Sequence, residues 1–125
     1  MGDRGNIIIV DGDTAVVLYT HHAGSHLAEI ARDGLAAGVT RWNDAPYLAR
    51  IVFEGMTYGE DGTTGYGLSA WPAISDNEHP FLVIDVPSQR VGYVDDDDPM
   101  LADGPPRVLP GEGWSFDEII AGAAA

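Results

Sequence analysis

Apolar residues follow two spacings along this chain. Ile7-Ile8-Ile9-Val10 and Ala15-Val16-Val17-Leu18-Tyr19 are continuous runs of strand length, rich in the β-branched side chains that suit a pleated sheet. Asp11-Gly12-Asp13-Thr14 separates them, and its Asp-Gly pair tolerates the positive φ of a tight hairpin turn. Neither run alternates with polar residues, so both strands are expected centrally, with each sheet face at least partly covered. From Leu27 the spacing changes. Leu27, Ile30, Ala31 and Leu35 recur at helical intervals between Ser25, a residue type that caps helices, and Gly38. This predicts a first helix over residues 26–37. Asp44 offers a second cap with Pro46 in the first turn, and Leu48, Ile51, Val52 and Met56 then share one face. Arg50 and Glu54, four apart, pair on the opposite face.

The pattern returns to strands after Gly59–Gly67, a segment too rich in glycine for a helix and too polar for a core strand. A third strand is expected over Tyr66–Ala70. Beyond the polar loop Asp76-Asn77-Glu78-His79-Pro80, the runs Phe81–Val86 and Arg90–Val94 flank Pro87-Ser88-Gln89 as a second hairpin. Residues 99–113 hold four prolines and favour an extended arm. Ser115 and Glu118 then form a capping box, and Trp114 and Ile119 stand where a hydrophobic staple places them, so a short helix starts near Phe116. The order is ββ-αα-βββ-α. It predicts a two-layer α+β domain over residues 1–98, with a mainly antiparallel sheet and the two central helices on one face. Residues 99–125 follow as an arm with a C-terminal helix. That helix is too short to stand alone, so Trp114, Phe116, Ile119 and Ile120 must be covered. The preferred reading docks it on the chain's own sheet; the alternative is a groove on a second subunit or partner.

Charge changes the picture most. The net charge is −14 and there is no lysine, so a phosphate backbone would meet a repulsive field and direct nucleic-acid binding is not expected. Residues 1–58 hold seven acids and four arginines, a balance of −3, whereas residues 59–125 hold thirteen acids and two arginines, a balance of −11. With no cysteine, disulfides, thiolate metal sites and thiol nucleophiles are excluded. No run is long enough to cross a membrane, and the N-terminal residues lack the pattern of a secretory signal. A cytoplasmic location is the expectation.

Candidate chemistry is sparse. His21, His22 and His26 cluster between the second strand and the first helix, and His79 follows Asp76 and Glu78. Imidazole and carboxylate suit zinc or iron, so His21, His26, Asp76, Glu78 and His79 form the alternative reading, a small metal-dependent hydrolase. Adjacent strand residues point to opposite faces, which argues against joint chelation by His21 and His22. Histidines at strand ends that cap backbone groups or lie exposed are the preferred reading, and no cofactor is implied. Asp11-Gly12-Asp13 lacks the remaining ligands of a calcium loop. Gly59–Gly67 lacks a phosphate-binding lysine and does not lead from strand to helix. Ser25 and His26 lack a Gly-x-Ser-x-Gly elbow, so Ser25 reads as a helix cap instead of a nucleophile. Arg41-Trp42-Asn43-Asp44 can stack on or hold a partner's carboxylate, though a brace at the helix start is preferred. Asp95–Asp98 reads either as a solvated strand end or as an acidic patch for a basic protein surface, imitating the phosphates of DNA.

Several segments carry a resemblance. Met1-Gly2-Asp3-Arg4 with Asn6-Ile7, Leu18-Tyr19-Thr20-His21, Arg41-Trp42, Tyr47-Leu48-Ala49-Arg50-Ile51, Thr64-Gly65-Tyr66-Gly67 and Asp76-Asn77-Glu78-His79-Pro80 resemble a group of small uncharacterised proteins from bacteria and their phages. The likeness spans roughly residues 1–86 and is absent from the arm. That group more often has Trp-Gly-Gly where this chain has His22-Ala23-Gly24. The resemblance implies a phage or mobile-element setting and supplies no mechanism. The expected function is therefore a non-enzymatic, protein-binding module, with Arg41, Trp42, Asp95, Asp96, Asp97, Asp98, Trp114 and Phe116 as candidate partner contacts.

Overall fold

The computed structural model describes residues 2–123; Met1 and residues 124–125, the ends of the two expected segments, lie outside the described residues. Strands β1 (Gly5–Asp11) and β2 (Thr14–Thr20) form the first hairpin, and helices α1 (Leu27–Ala37) and α2 (Ala45–Met56) follow. Strands β3 (Tyr66–Ala70), β4 (Phe81–Asp85) and β5 (Arg90–Val94) complete most of the sheet. A two-residue strand β6 (Trp114–Ser115), not foreseen in the sequence, leads directly into α3 (Phe116–Ile120). The six strands lie in the order β3-β2-β1-β4-β5-β6. All neighbours are antiparallel except β1 and β4, which run parallel with Ile7 opposite Leu82. The α+β class and the helix-on-sheet packing are as the pattern implies.

The sheet's pleat divides its apolar residues between two faces. Ile7, Ile9, Leu18, Leu82, Ile84 and Val91 point toward the helices and meet Leu27, Ala31 and Leu35 of α1, Leu48, Val52 and Met56 of α2, and Phe116 and Ile119 of α3. Gly34 sets the spacing between α1 and α2, since a Cβ there would fall 2.7 Å from Val52 Cγ2. Ile8, Val10, Val17, Phe81, Val83 and Val94 point the other way. Among the described residues no α-helix covers that second face. Trp71 and Ile74 from the loop after β3, and Met100, Leu101 and Val108 from the proline-rich arm, pack over it instead. This explains how strands with continuous apolar runs are buried on both sides of a sheet with helices on one.

Two details of the sequence reading need correction. Ser25 is not the cap of α1. It lies within a 3₁₀ turn, Gly24–His26, and the residue before α1 makes no side-chain cap. The turn's free N–H is satisfied from a distance, because Ser25 N donates to Asp3 Oδ2 at 2.9 Å. Ile51 is only half-buried, and Ala49 is buried beside Leu48 and Val52. The other caps form as read. Asp44 accepts from Tyr47 N, Arg50 pairs with Glu54, and both hydrogen bonds of the Ser115–Glu118 capping box are present. Leu48, fully buried, should lose about 2–5 kcal/mol on substitution by alanine. Ile51→Ala is expected to cost clearly less; equal losses in urea titrations would contradict this packing.

Candidate functional site

The register places most of the candidate residues at one end of the sheet. Gly5 faces Thr20, Thr20 faces Tyr66, and Phe81 faces Val94. The segments just outside these positions are Asp3-Arg4, His21-His22, Gly65, Asp76–Pro80 and Asp95–Asp98. Five separate stretches of chain thus converge where the strands end.

Asp3 is the hub of the network. Its Oδ2 accepts from Ser25 Oγ at 2.6 Å, and its Oδ1 meets His79 Nε2 at 2.5 Å. The Ser25 hydroxyl, then the His79 imidazole, then the Ser25 backbone N–H hold the Asp3 carboxyl at about 2, far below its usual 3.8. Beside it, Arg4 reaches Asp76 at 2.9 Å and Glu78 at 3.1 Å. The Arg4 backbone N–H and then its guanidinium lower the Glu78 carboxyl. Asn6, buried at the start of the apolar run, donates to Asp76 O and Asn77 Oδ1. Its own Oδ1 has no partner among the described residues. Asn77 continues the network to Asp96 Oδ2 at 3.2 Å.

The serine, aspartate and histidine are in contact in an order that disfavours nucleophilic catalysis. Both Ser25 and His79 bond to the same carboxylate, whereas activation of a hydroxyl needs the imidazole between serine and acid. The candidate metal ligands are dispersed. His21 Nδ1 lies 3.0 Å from Tyr19 Oη, His26 is exposed beside Glu29, and Arg4 engages both Asp76 and Glu78. Among the described residues no group of three or more histidine or acidic side chains is placed to hold a metal ion.

Comparison with protein-family models, curated proteins and solved structures finds no match. The site therefore rests on its own geometry.

The remaining candidates separate into interior and surface. Trp42 donates its Nε1–H to Leu35 O at 3.0 Å and meets the Phe116 ring edge-on at 5.3 Å. Arg41 stacks over the Tyr47 ring at 4.3 Å. Phe116 is buried, so it belongs to the core and offers no surface to a partner. Asp95, Asp96 and Asp97 are exposed. With Asn77, Glu78, His79 and Pro80 they line an open cleft of about 370 Å³. Asp98 differs from its neighbours because it caps the turn Pro99–Ala102 through Met100 N.

Sequence reading passed over Asp3, Arg4 and Asn6 as site residues, and Asp85. A signal existed for two of them. Asn6 adjoins one apolar run and Asp85 lies within another, and both are fully buried, a placement that requires dedicated partners.

The acid response follows from these carboxyls. Asp3 in the folded state titrates below its usual value, so the unfolded chain binds more protons as pH falls. Stability should be fully present above about 3.8 and decline as pH drops toward about 2. The denaturation midpoint of Asp3→Asn should lie below that of the wild type at neutral pH, and the gap should close through this window. A gap that stays constant with pH would remove the ionised carboxylate as its cause.

Proposed function

We propose that this chain is a non-enzymatic, phage- or mobile-element-associated cytoplasmic protein that binds a basic protein surface through the acidic cleft at Asp95–Asp97. One observation supports this above others. Asp95, Asp96 and Asp97 gather around one open cleft and make no ion pair among the described residues, whereas Glu78 in the same lining is paired with Arg4. Crowded carboxylates at a rigid strand end project a negative field that attracts and orients a cationic partner. The overall charge of −14 turns away nucleic acid, and the aspartate row can stand in for a phosphate array toward a DNA-binding protein. No helix among the described residues is long and apolar enough to cross a membrane.

Affinity capture from the host, run in parallel with a triple Asp95→Asn, Asp96→Asn, Asp97→Asn variant, tests the proposal. The wild type should retain a basic partner that duplex DNA displaces, and both the variant and about 0.5 M salt should release it. A partner held equally by the triple variant would overturn it. Direct binding of DNA or RNA in a fluorescence titration at physiological salt would contradict the charge argument.

A further inference from the structure

On the other side of the aspartate row lies a second concavity with different chemistry. Tyr93, Asp98, Arg107, Glu112 and Trp114 line a concavity of about 320 Å³ between β5, the arm and β6. Tyr93 is 50% exposed although it is a large aromatic on the sheet. Its ring meets Trp114 edge-on, with centroids 6.2 Å apart. In such a pair at least one ring keeps both faces free of the other. β6 pairs with Arg90 and Val91, and Gly113 and Val108 then pack against the buried Gly92, so Tyr93 is the exposed residue of this stretch of β5. Charge selects the occupant. Arg107 Nε lies 3.4 Å from the buried carboxylate of Asp85, which offsets its charge, so Asp98 and Glu112 leave the groove negative. Each of these two acids commits one oxygen to a backbone N–H, and each keeps the other without a protein partner among the described residues.

We propose that this groove receives an arginine side chain from a basic segment of the partner protein. The inference rests on the acidic-surface reading above and deepens it by naming the segment's chemistry. Guanidinium is planar, so it stacks on a Tyr or Trp face while pairing with a carboxylate at the rim, which a lysine ammonium does less well.

The test uses two synthetic peptides, acetyl-Gly-Arg-Gly-Arg-Gly-amide and its lysine counterpart, titrated at low salt into isotopically labelled protein by NMR. The arginine peptide should bind more tightly and shift the Trp114 indole and the Gly92–Val94 amides. Tyr93→Thr, which keeps a strand-forming residue, should weaken the arginine peptide by roughly two- to fivefold, the factor of a half-exposed cation–π contact. It should also erase the preference over lysine. Asp98→Asn and Glu112→Gln preserve the backbone hydrogen bonds and should each weaken both peptides. Shifts confined to Asp95–Asp97, with Tyr93→Thr binding like the wild type, would overturn the groove while leaving the acidic-surface reading standing. No shift from either peptide at low salt would remove both.

Discussion

Phe116→Ala is expected to destabilise the protein by about 3–5 kcal/mol. The residue is 1% exposed, its ring meets Trp42 edge-on, and it sits with Ile119 in the same core cluster as Leu35 and Val91. A chain ending at Leu109 should be affected still more, because it also lacks Ile119, Trp114 and the pairing of β6 with β5. Whole domains are stable by only about 5–15 kcal/mol, so the truncated chain should be largely unfolded or molten at room temperature. Circular dichroism and urea titration at several protein concentrations check this. The loss should not depend on concentration, since α3 docks on α1 of its own chain. A truncated protein with the wild-type midpoint, sedimenting as a smaller species, would show that the helix serves an intermolecular contact.

Asp85→Ala should cost a similar amount, about 3–5 kcal/mol, for a different reason. The carboxylate is fully buried. It accepts from Val108 N at 2.9 Å and from Ser88 N at 3.1 Å, while Arg107 approaches at 3.4 Å. One side chain therefore organises the β4–β5 turn and fastens the arm over the second sheet face. Alanine leaves two backbone donors without a partner, that of Val108 buried and that of Ser88 part-buried. Asp85→Asn should recover part of the loss, because an amide accepts through one oxygen and opposes a donor to the other N–H. Arg107→Ala should cost much less, its side chain being nearly half exposed. Urea midpoints for the three variants test the ranking. An Asp85→Ala protein within about 1 kcal/mol of the wild type would mean that solvent replaces these bonds.

The turn itself has a second constraint. Gln89 adopts φ of 53°, a conformation few non-glycine residues take, and its carbonyl accepts from Phe116 N at 3.1 Å. Its side chain reaches Asn43 Oδ1 at 2.9 Å. The hairpin tip is thus held between the start of α2 and the start of α3. Opposite it, Gly113 has φ of 57°, and a Cβ there would fall 2.1 Å from Val91 O. Only glycine lets the chain come this close before it pairs as β6.

The candidate site was partly legible. The aspartate row could be seen at once, because four identical charges need no fold to be adjacent. The Asp76–His79 segment reads as a polar loop, and its histidine also suits a metal. What could not be seen is that Asp3 would take that imidazole across 76 positions of sequence, or that Arg4 would engage Asp76 and Glu78. These contacts exist because β1 and β4 are parallel neighbours, which brings the residues before each strand to the same end.

By itself the amino-acid sequence determined the features whose physics is short-range. The Asp11–Thr14 turn, the Asp44 cap, the Arg50–Glu54 pair and the Ser115–Glu118 box each depend on residues within four positions of one another. Hydrophobic spacing likewise set most strands, both long helices and the α+β class. Tertiary structure alone decided the rest. It put β1 beside β4, folded the proline-rich arm over the second sheet face, and turned Ser25 from a helix cap into a partner of Asp3. It also set Tyr93 beside Trp114 in one groove. Each of these joins segments far apart in the chain, so the outcome depends on which strands become neighbours. That choice minimises exposed apolar area over the whole molecule, and no local run of residues encodes it.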